Sequence, residues 1–140
     1  MSILSNLLAK AAPSFFYSSP PTPELKKTLH IELVEPKDWE DVAGSDVYIN
    51  TANYQNTKET YFEVSLHIPT KNGVMFARLY NVTDKHPVWY SEVHTDQDVS
   101  TFLSSKISLD PGNKQYRIQL KTTLEYQSLL DNARIKIISN

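Results

Sequence analysis

The chain has 140 residues, with 14 Lys plus Arg against 16 Asp plus Glu, and no cysteine. That length suits one domain that buries roughly two thirds of the surface its unfolded form exposes. Scattered, nearly balanced charge gives no electrostatic reason for a nucleic-acid or membrane-surface partner, and the lack of thiols excludes disulfides, thiolate metal sites and cysteine nucleophiles.

Residues 2 to 12 place Ile3, Leu4, Leu7, Leu8 and Ala11 at one-face helical spacing, with Ser2 as N-cap and Pro13 as the stop. A helix of about three turns is unstable alone in water and must lean on something. The segment PSFFYSSPPTP follows, in which Phe15, Phe16 and Tyr17 sit among prolines that favour an extended course. No positive charge precedes the apolar start, and Asn6 and Lys10 interrupt it, so no export signal is read. No apolar run is long enough for a helical membrane span.

From Thr28 the period becomes two. Leu29, Ile31 and Leu33 alternate with polar residues, as do Phe62 to Ile68, Met75 to Leu79, Leu103 to Leu109, Tyr116 to Leu120 and Ala133 to Ile137. This is the pattern of half-buried strands. Shorter candidates at Val47 to Ile49 and Val88 to Val93 bring the count to about eight. Lys71-Asn72-Gly73 predicts a two-residue hairpin between two of these strands, and Asp110-Pro111-Gly112-Asn113 predicts a turn. Leu124 to Leu130 is read as a helical turn or a loop. Short strands at regular spacing with no helix between them predict an all-β antiparallel sandwich or barrel. The expected division is an arm over 1–27 and a β-domain over 28–140.

The runs FARLYNVTD (76 to 84), SEV (91 to 93), YRIQLK (116 to 121) and LDNARIKII (130 to 138) resemble the C-terminal half of jelly-roll domains. Such domains occur in bacterial surface proteins, phage structural proteins and non-catalytic carbohydrate-binding modules. The resemblance implies a jelly-roll β-sandwich of about eight strands whose last strand closes against an early one near Leu29 to Val34. It implies no particular ligand.

If Met75, Ala77 and Leu79 point inward, then Phe76, Arg78 and Tyr80 point outward, and Arg117, Gln119 and Lys121 do the same on another strand. Aromatic faces beside planar or cationic donors suit sugars or the polar surface of a protein; the alternative is an ordinary solvated sheet. One ring of the adjacent Trp89 and Tyr90 must leave the core, while Trp39, in PKDWED, reads as a plug closing one end of the sandwich. His30, His67, His86 and His94 lack close-pair ligand spacing, and the acids at 38 to 46 and at 96 and 98 lack the order of a calcium loop, so neither metal nor cofactor is expected. No nucleophile elbow, phosphate loop or paired-acid motif points to catalysis. Asn81-Val82-Thr83 matches a glycosylation acceptor, read as chance without an export signal.

The leading expectation is therefore a non-enzymatic structural component of an ordered assembly, a virion or phage protein of decoration, head-fibre or tail-associated type. It would be cytoplasmic before assembly, and its partners would be other protein subunits in a homo-oligomer or lattice. Leu4, Leu7, Leu8, Phe15, Phe16 and Tyr17 would dock on neighbours, the aromatics supplying the buried area. The alternative is a carbohydrate-binding module whose glycan contacts Phe76, Arg78, Tyr80, Trp89, Arg117 and Gln119. A small hydrolase on the same scaffold is the third reading.

Overall fold

The computed structural model describes residues 16–17, 24–27, 31–33, 38–54, 56–124 and 127–139. The helix expected over residues 2 to 12, and with it Leu4, Leu7 and Leu8, lies outside these residues, as does Phe15. Twelve short strands are described: β1 (Phe16–Tyr17), β2 (Glu24–Lys27), β3 (Ile31–Leu33), β4 (Glu40–Asp41), β5 (Val47–Asn50), β6 (Thr57–His67), β7 (Met75–Asn81), β8 (His86–Pro87), β9 (Val93–Thr95), β10 (Thr101–Ile107), β11 (Asn113–Thr122) and β12 (Ser128–Ser139). All their pairings are antiparallel.

Three edges are broken in two. β2 and β3 share one side of β12, β4 and β5 one side of β11, and β8 and β9 one side of β7. Counting each broken edge once leaves the eight ribbons that the alternation predicts, with β1 added outside β2. Numbered along the chain, one sheet orders these ribbons first, eighth, third, sixth, and the other second, seventh, fourth, fifth. That interleaving of two Greek keys is the jelly roll. Its closure is direct, for Leu130 pairs with Ile31 and Ser128 with Leu33.

The inward rows meet between the sheets. Phe62, Val64 and Leu66 of β6 and Ala133, Ile135 and Ile137 of β12 face Met75, Ala77 and Leu79 of β7 and Tyr116, Ile118 and Leu120 of β11, all buried. Because the side-chain period along a strand is two, the intervening residues of β7 and β11 are forced onto the outer face of the second sheet. Cross-strand register then sets Phe76 opposite Lys121, Arg78 opposite Gln119 and Tyr80 opposite Arg117.

Three local expectations are corrected. The Asn72-Gly73 turn makes no hairpin: β6 and β7 belong to different sheets, and positive φ falls on Lys71 and Gly73. Turn chemistry reverses the chain without choosing which layer the next strand joins. Glycine is needed at 73 because a Cβ there would stand 2.9 Å from Thr123 Oγ1. Residues 88 to 92 form a tight turn between β8 and β9, not a strand, so both Trp89 and Tyr90 are exposed while Val88 is buried. Ser128 to Leu130 open β12, so the end of the stretch read as a helical turn or loop is strand.

The arm also meets this sheet. The backbone of Phe16–Tyr17 pairs with Leu25 and Lys26, and Glu24–Lys27 pairs with Ala133 to Lys136 of β12. No helix among the described residues is long and apolar enough to cross a membrane.

Candidate functional site

The outer face of the second sheet carries one continuous polar ladder. Arg78 Nε donates to Gln119 Oε1 at 2.8 Å, and Gln119 Nε2 donates to Asp41 Oδ1 at 2.8 Å. Asp41 Oδ2 accepts from Arg117 Nη1 at 3.0 Å, and Arg117 reaches on to Asp46 through Nε at 2.6 Å and Nη2 at 3.1 Å. Gln115 Nε2 ends the ladder on Asp46 Oδ2 at 3.0 Å. The side chains in this chain of bonds are planar, and the Arg117–Asp46 pair is bidentate, the geometry that fixes both groups most firmly. Arg117 is raised above its ordinary pKa, first by the hydrogen bonds to Asp46 and then by the charges of both aspartates.

An aromatic cluster borders the ladder. Trp39 meets Phe76 edge-on with ring centres 6.4 Å apart, and Phe76 lies 5.7 Å from the His94 ring. The Arg78 guanidinium carbon sits 4.1 Å above the Trp39 ring centre and 5.9 Å from that of Tyr80. Lys121 Nζ is 4.8 Å from the Trp39 ring and 4.9 Å from Phe76. Trp39 is thus flanked by two cations, both within the range of cation–π attraction.

Arg78 differs from Arg117 in what holds it. Burial lowers its pKa, and the nearby charges of Glu92 and Tyr80 do not reverse that. Its Nε is engaged by Gln119, whereas its two terminal amino groups have no hydrogen-bond partner among the described residues. The same side chain lines a hollow of about 320 Å³ with Trp89, Tyr90 and Glu92. Trp89 is 70% exposed and Tyr90 81%. The turn that presents them is held by the buried Ser91, whose Oγ donates to Val88 O at 2.8 Å and accepts from Leu79 N at 3.0 Å. Tyr90 adopts φ 67°, a left-handed conformation that costs of order 1–3 kcal/mol in a non-glycine residue and persists only where the surroundings impose it.

Of the residues named from alternation, Phe76, Arg78, Tyr80, Arg117 and Gln119 share this face, and Trp89 stands at its margin beside Arg78. Trp39, expected as an end plug, lies on the face instead. Asp41 and Asp46 were read only as loop acids, and Gln115 was not singled out. Their signal is faint, since only the pairing of β4 with β11 brings Asp41 opposite Gln119. Phe16 and Tyr17 lie in β1, away from this face on the other sheet.

The other sheet's outer face holds smaller, closed groups. Arg134 binds the carboxylate of Glu63, which also accepts from Ser104 at 3.1 Å. His67 Nδ1 lies 2.7 Å from Asp131 Oδ2, and Ser100 donates to that same oxygen at 2.8 Å. Ser100 therefore spends its proton on the carboxylate and not on the imidazole, so these three residues do not form an activated nucleophile.

No family model and no curated protein matches the sequence. Among solved structures, the chain is similar to a carbohydrate-binding module of Cellvibrio mixtus lichenase 5A in complex with cellotriose, at 12% identity over 91% of this chain and 87% of that one, TM-score 0.46. It is similar to the module TmCBM27, described for specific mannan recognition, at 12% identity over 97% and 94%, TM-score 0.48. A xylan-binding domain of Paenibacillus barcinonensis Xyn10C gives 10% identity over 91% and 83%, TM-score 0.41.

Proposed function

We propose that this protein is a non-catalytic carbohydrate-binding module whose glycan lies along the outer face of the second sheet, from the Trp39–Phe76 cluster across Arg78 to the hollow under Trp89. The observation that carries this reading is Arg78. A guanidinium stacked on an indole, with both terminal amino groups unbonded and open to solvent, presents two fixed donors that a ligand can engage. A sugar can do so, because its ring oxygens and hydroxyls accept from a planar fork while its apolar C–H faces cover aromatic rings. The ladder behind Arg78 serves as its mount. Gln119 is fixed by Asp41, which is fixed in turn by Arg117, so the guanidinium is held before the ligand arrives and less conformational freedom is lost on binding.

This order reverses the two roles that the sequence suggests. The assembly role draws on the arm, and the parts of the arm that are described pair their backbones with this chain's own sheet. Asp41 and Asp46, the carboxylates of the ladder, are tied to Arg117, Gln119 and Gln115, so binding is expected to leave the glycan unchanged. The test is affinity electrophoresis of the full-length chain through gels carrying a panel of soluble polysaccharides. At least one should retard it, and Arg78→Ala and Trp39→Ala should each abolish the retardation while circular dichroism remains that of the parent. Free migration across a broad panel, or retardation unchanged in both variants, overturns the reading.

A further inference from the structure

At the end of the second sheet remote from the Trp39 cluster, the turn of residues 82–85 between β7 and β8 meets the segment 108–112 that crosses from β10 to β11. Asp84 comes from the first, His86 from the start of β8 and Asp110 from the second, and one potential ligand atom from each lies within 4.8 Å of the other two. Glycan binding as proposed above uses none of the three.

The hydrogen bonds assign the His86 tautomer. Nδ1 stands 2.8 Å from Pro87 O. A carbonyl can only accept, so Nδ1 carries a hydrogen and, in the neutral ring, Nε2 presents a lone pair. That nitrogen lies 3.0 Å from Asp110 Oδ2, which is also an acceptor. Two acceptors at this distance repel unless a proton or a metal ion sits between them. An imidazole whose far nitrogen is pinned to a backbone carbonyl is also how metal-ligating histidines are oriented.

The surroundings fit a cation. Asn81, fully buried, donates from Nδ2 to Asp84 Oδ2 at 2.9 Å and to Asp110 Oδ2 at 2.5 Å, which draws the two carboxylates together. Lys114 Nζ meets Asp84 from outside at 3.1 Å, leaving the Asp110 carboxylate facing His86 with no lysine or arginine beside it. The Tyr116 hydroxyl is a second and independent sign. Its residue is fully buried and its oxygen has no hydrogen-bond partner. Asp110 and Asp84 lie close to it. A carboxylate turned to a metal, or a water bound to one, would take that unused proton.

We propose that Asp84, His86 and Asp110 bind one divalent transition ion of the zinc type, which clips the β7–β8 turn to the β10–β11 crossover. One imidazole nitrogen with two carboxylates favours such an ion over calcium or magnesium, which take oxygen ligands. Zinc bonds of about 2.0–2.1 Å place tetrahedral ligands about 3.3 Å apart, so the three side chains need move only about an ångström to close on it.

The test is calorimetric titration of zinc chloride into untagged, chelator-stripped full-length protein, with thermal melting at each zinc level. One ion per chain and a melting temperature that rises and then saturates are expected. His86→Ala and Asp110→Asn should each weaken zinc at least about tenfold, with His94→Ala binding as the parent. If His86→Ala is misfolded by circular dichroism, Asp84→Asn takes its place. No heat and no shift in melting would overturn the site, leaving a proton as the cation between Nε2 and Asp110. Equal affinity in the parent and in the folded ligand variants would overturn it too, by locating zinc elsewhere.

Discussion

Arg117 and Arg78 stand on adjacent strands of one face, yet they are held in opposite ways. Arg117 is gripped by Asp46 and Asp41, and its pKa rises; Arg78 has Gln119 and a tryptophan ring, and its pKa falls. The first has exchanged water for carboxylates, which satisfies its charge within the fold. The second keeps two amino groups open to solvent, as the proposed glycan contact requires. One ladder thus has an anchored end and an open end, so a change at either should be felt differently.

The largest effect should come from breaking the anchor. Asp46→Ala leaves Arg117 and Gln115 without a bidentate partner and should cost about 1–2 kcal/mol of stability, a figure reduced for the partial exposure of the pair. Urea denaturation reads it, and a double-mutant cycle with Arg117→Ala should recover most of that cost as coupling energy. A loss below about 0.3 kcal/mol would mean that the two arginines are alike after all.

Next comes the working end. Arg78→Lys keeps the charge and loses the planar fork, and it should weaken binding of the retarding glycan about tenfold, about 1.4 kcal/mol. Arg78→Ala should change stability by less than about 0.5 kcal/mol, because its charge has no carboxylate partner to lose and only the stacking on Trp39 goes. Were Arg78→Ala to destabilise the fold as much as Asp46→Ala, the assignment of Arg78 to a ligand would fail.

The smallest effect lies on the half-buried rim of the first sheet, where a tyrosine holds a carboxylate. Tyr61 donates to Glu59 Oε2 at 2.5 Å, and that hydrogen bond, ahead of Lys106 and Lys58, lowers the Glu59 pKa. A carboxyl depressed in the folded state stabilises above its unfolded pKa, and the contribution is lost as pH falls through the folded value. Tyr61→Phe should therefore lower stability slightly above about pH 4.3 and match the parent at the acid end, so that the acid limb of the stability–pH curve becomes shallower. An acid limb identical to the parent's would show the pair to be inert.

Legibility followed the range of the forces involved. Inward and outward residues of β6, β7, β11 and β12 could be read directly, because alternation is written into consecutive side chains and one buried face enforces it. That is why Phe76, Arg78, Tyr80, Arg117 and Gln119 could be placed together in advance. The broken edges at 40–50 and 86–95 were harder, since two- to four-residue strands carry too little pattern to separate from turns. Trp89 and Tyr90 were read as strand neighbours for that reason.

By itself, then, the sequence determined a two-layer antiparallel body and which residues of its long strands face out, since both follow from a period of two and from turn residues. Only the tertiary structure decided that the chain changes sheets at Asn72-Gly73, that Trp39 and Asp41 cross to the face of β7 and β11, and that Asp110 meets Asp84 and His86. Those choices depend on contacts between segments far apart in the chain, whose partners no local spacing encodes.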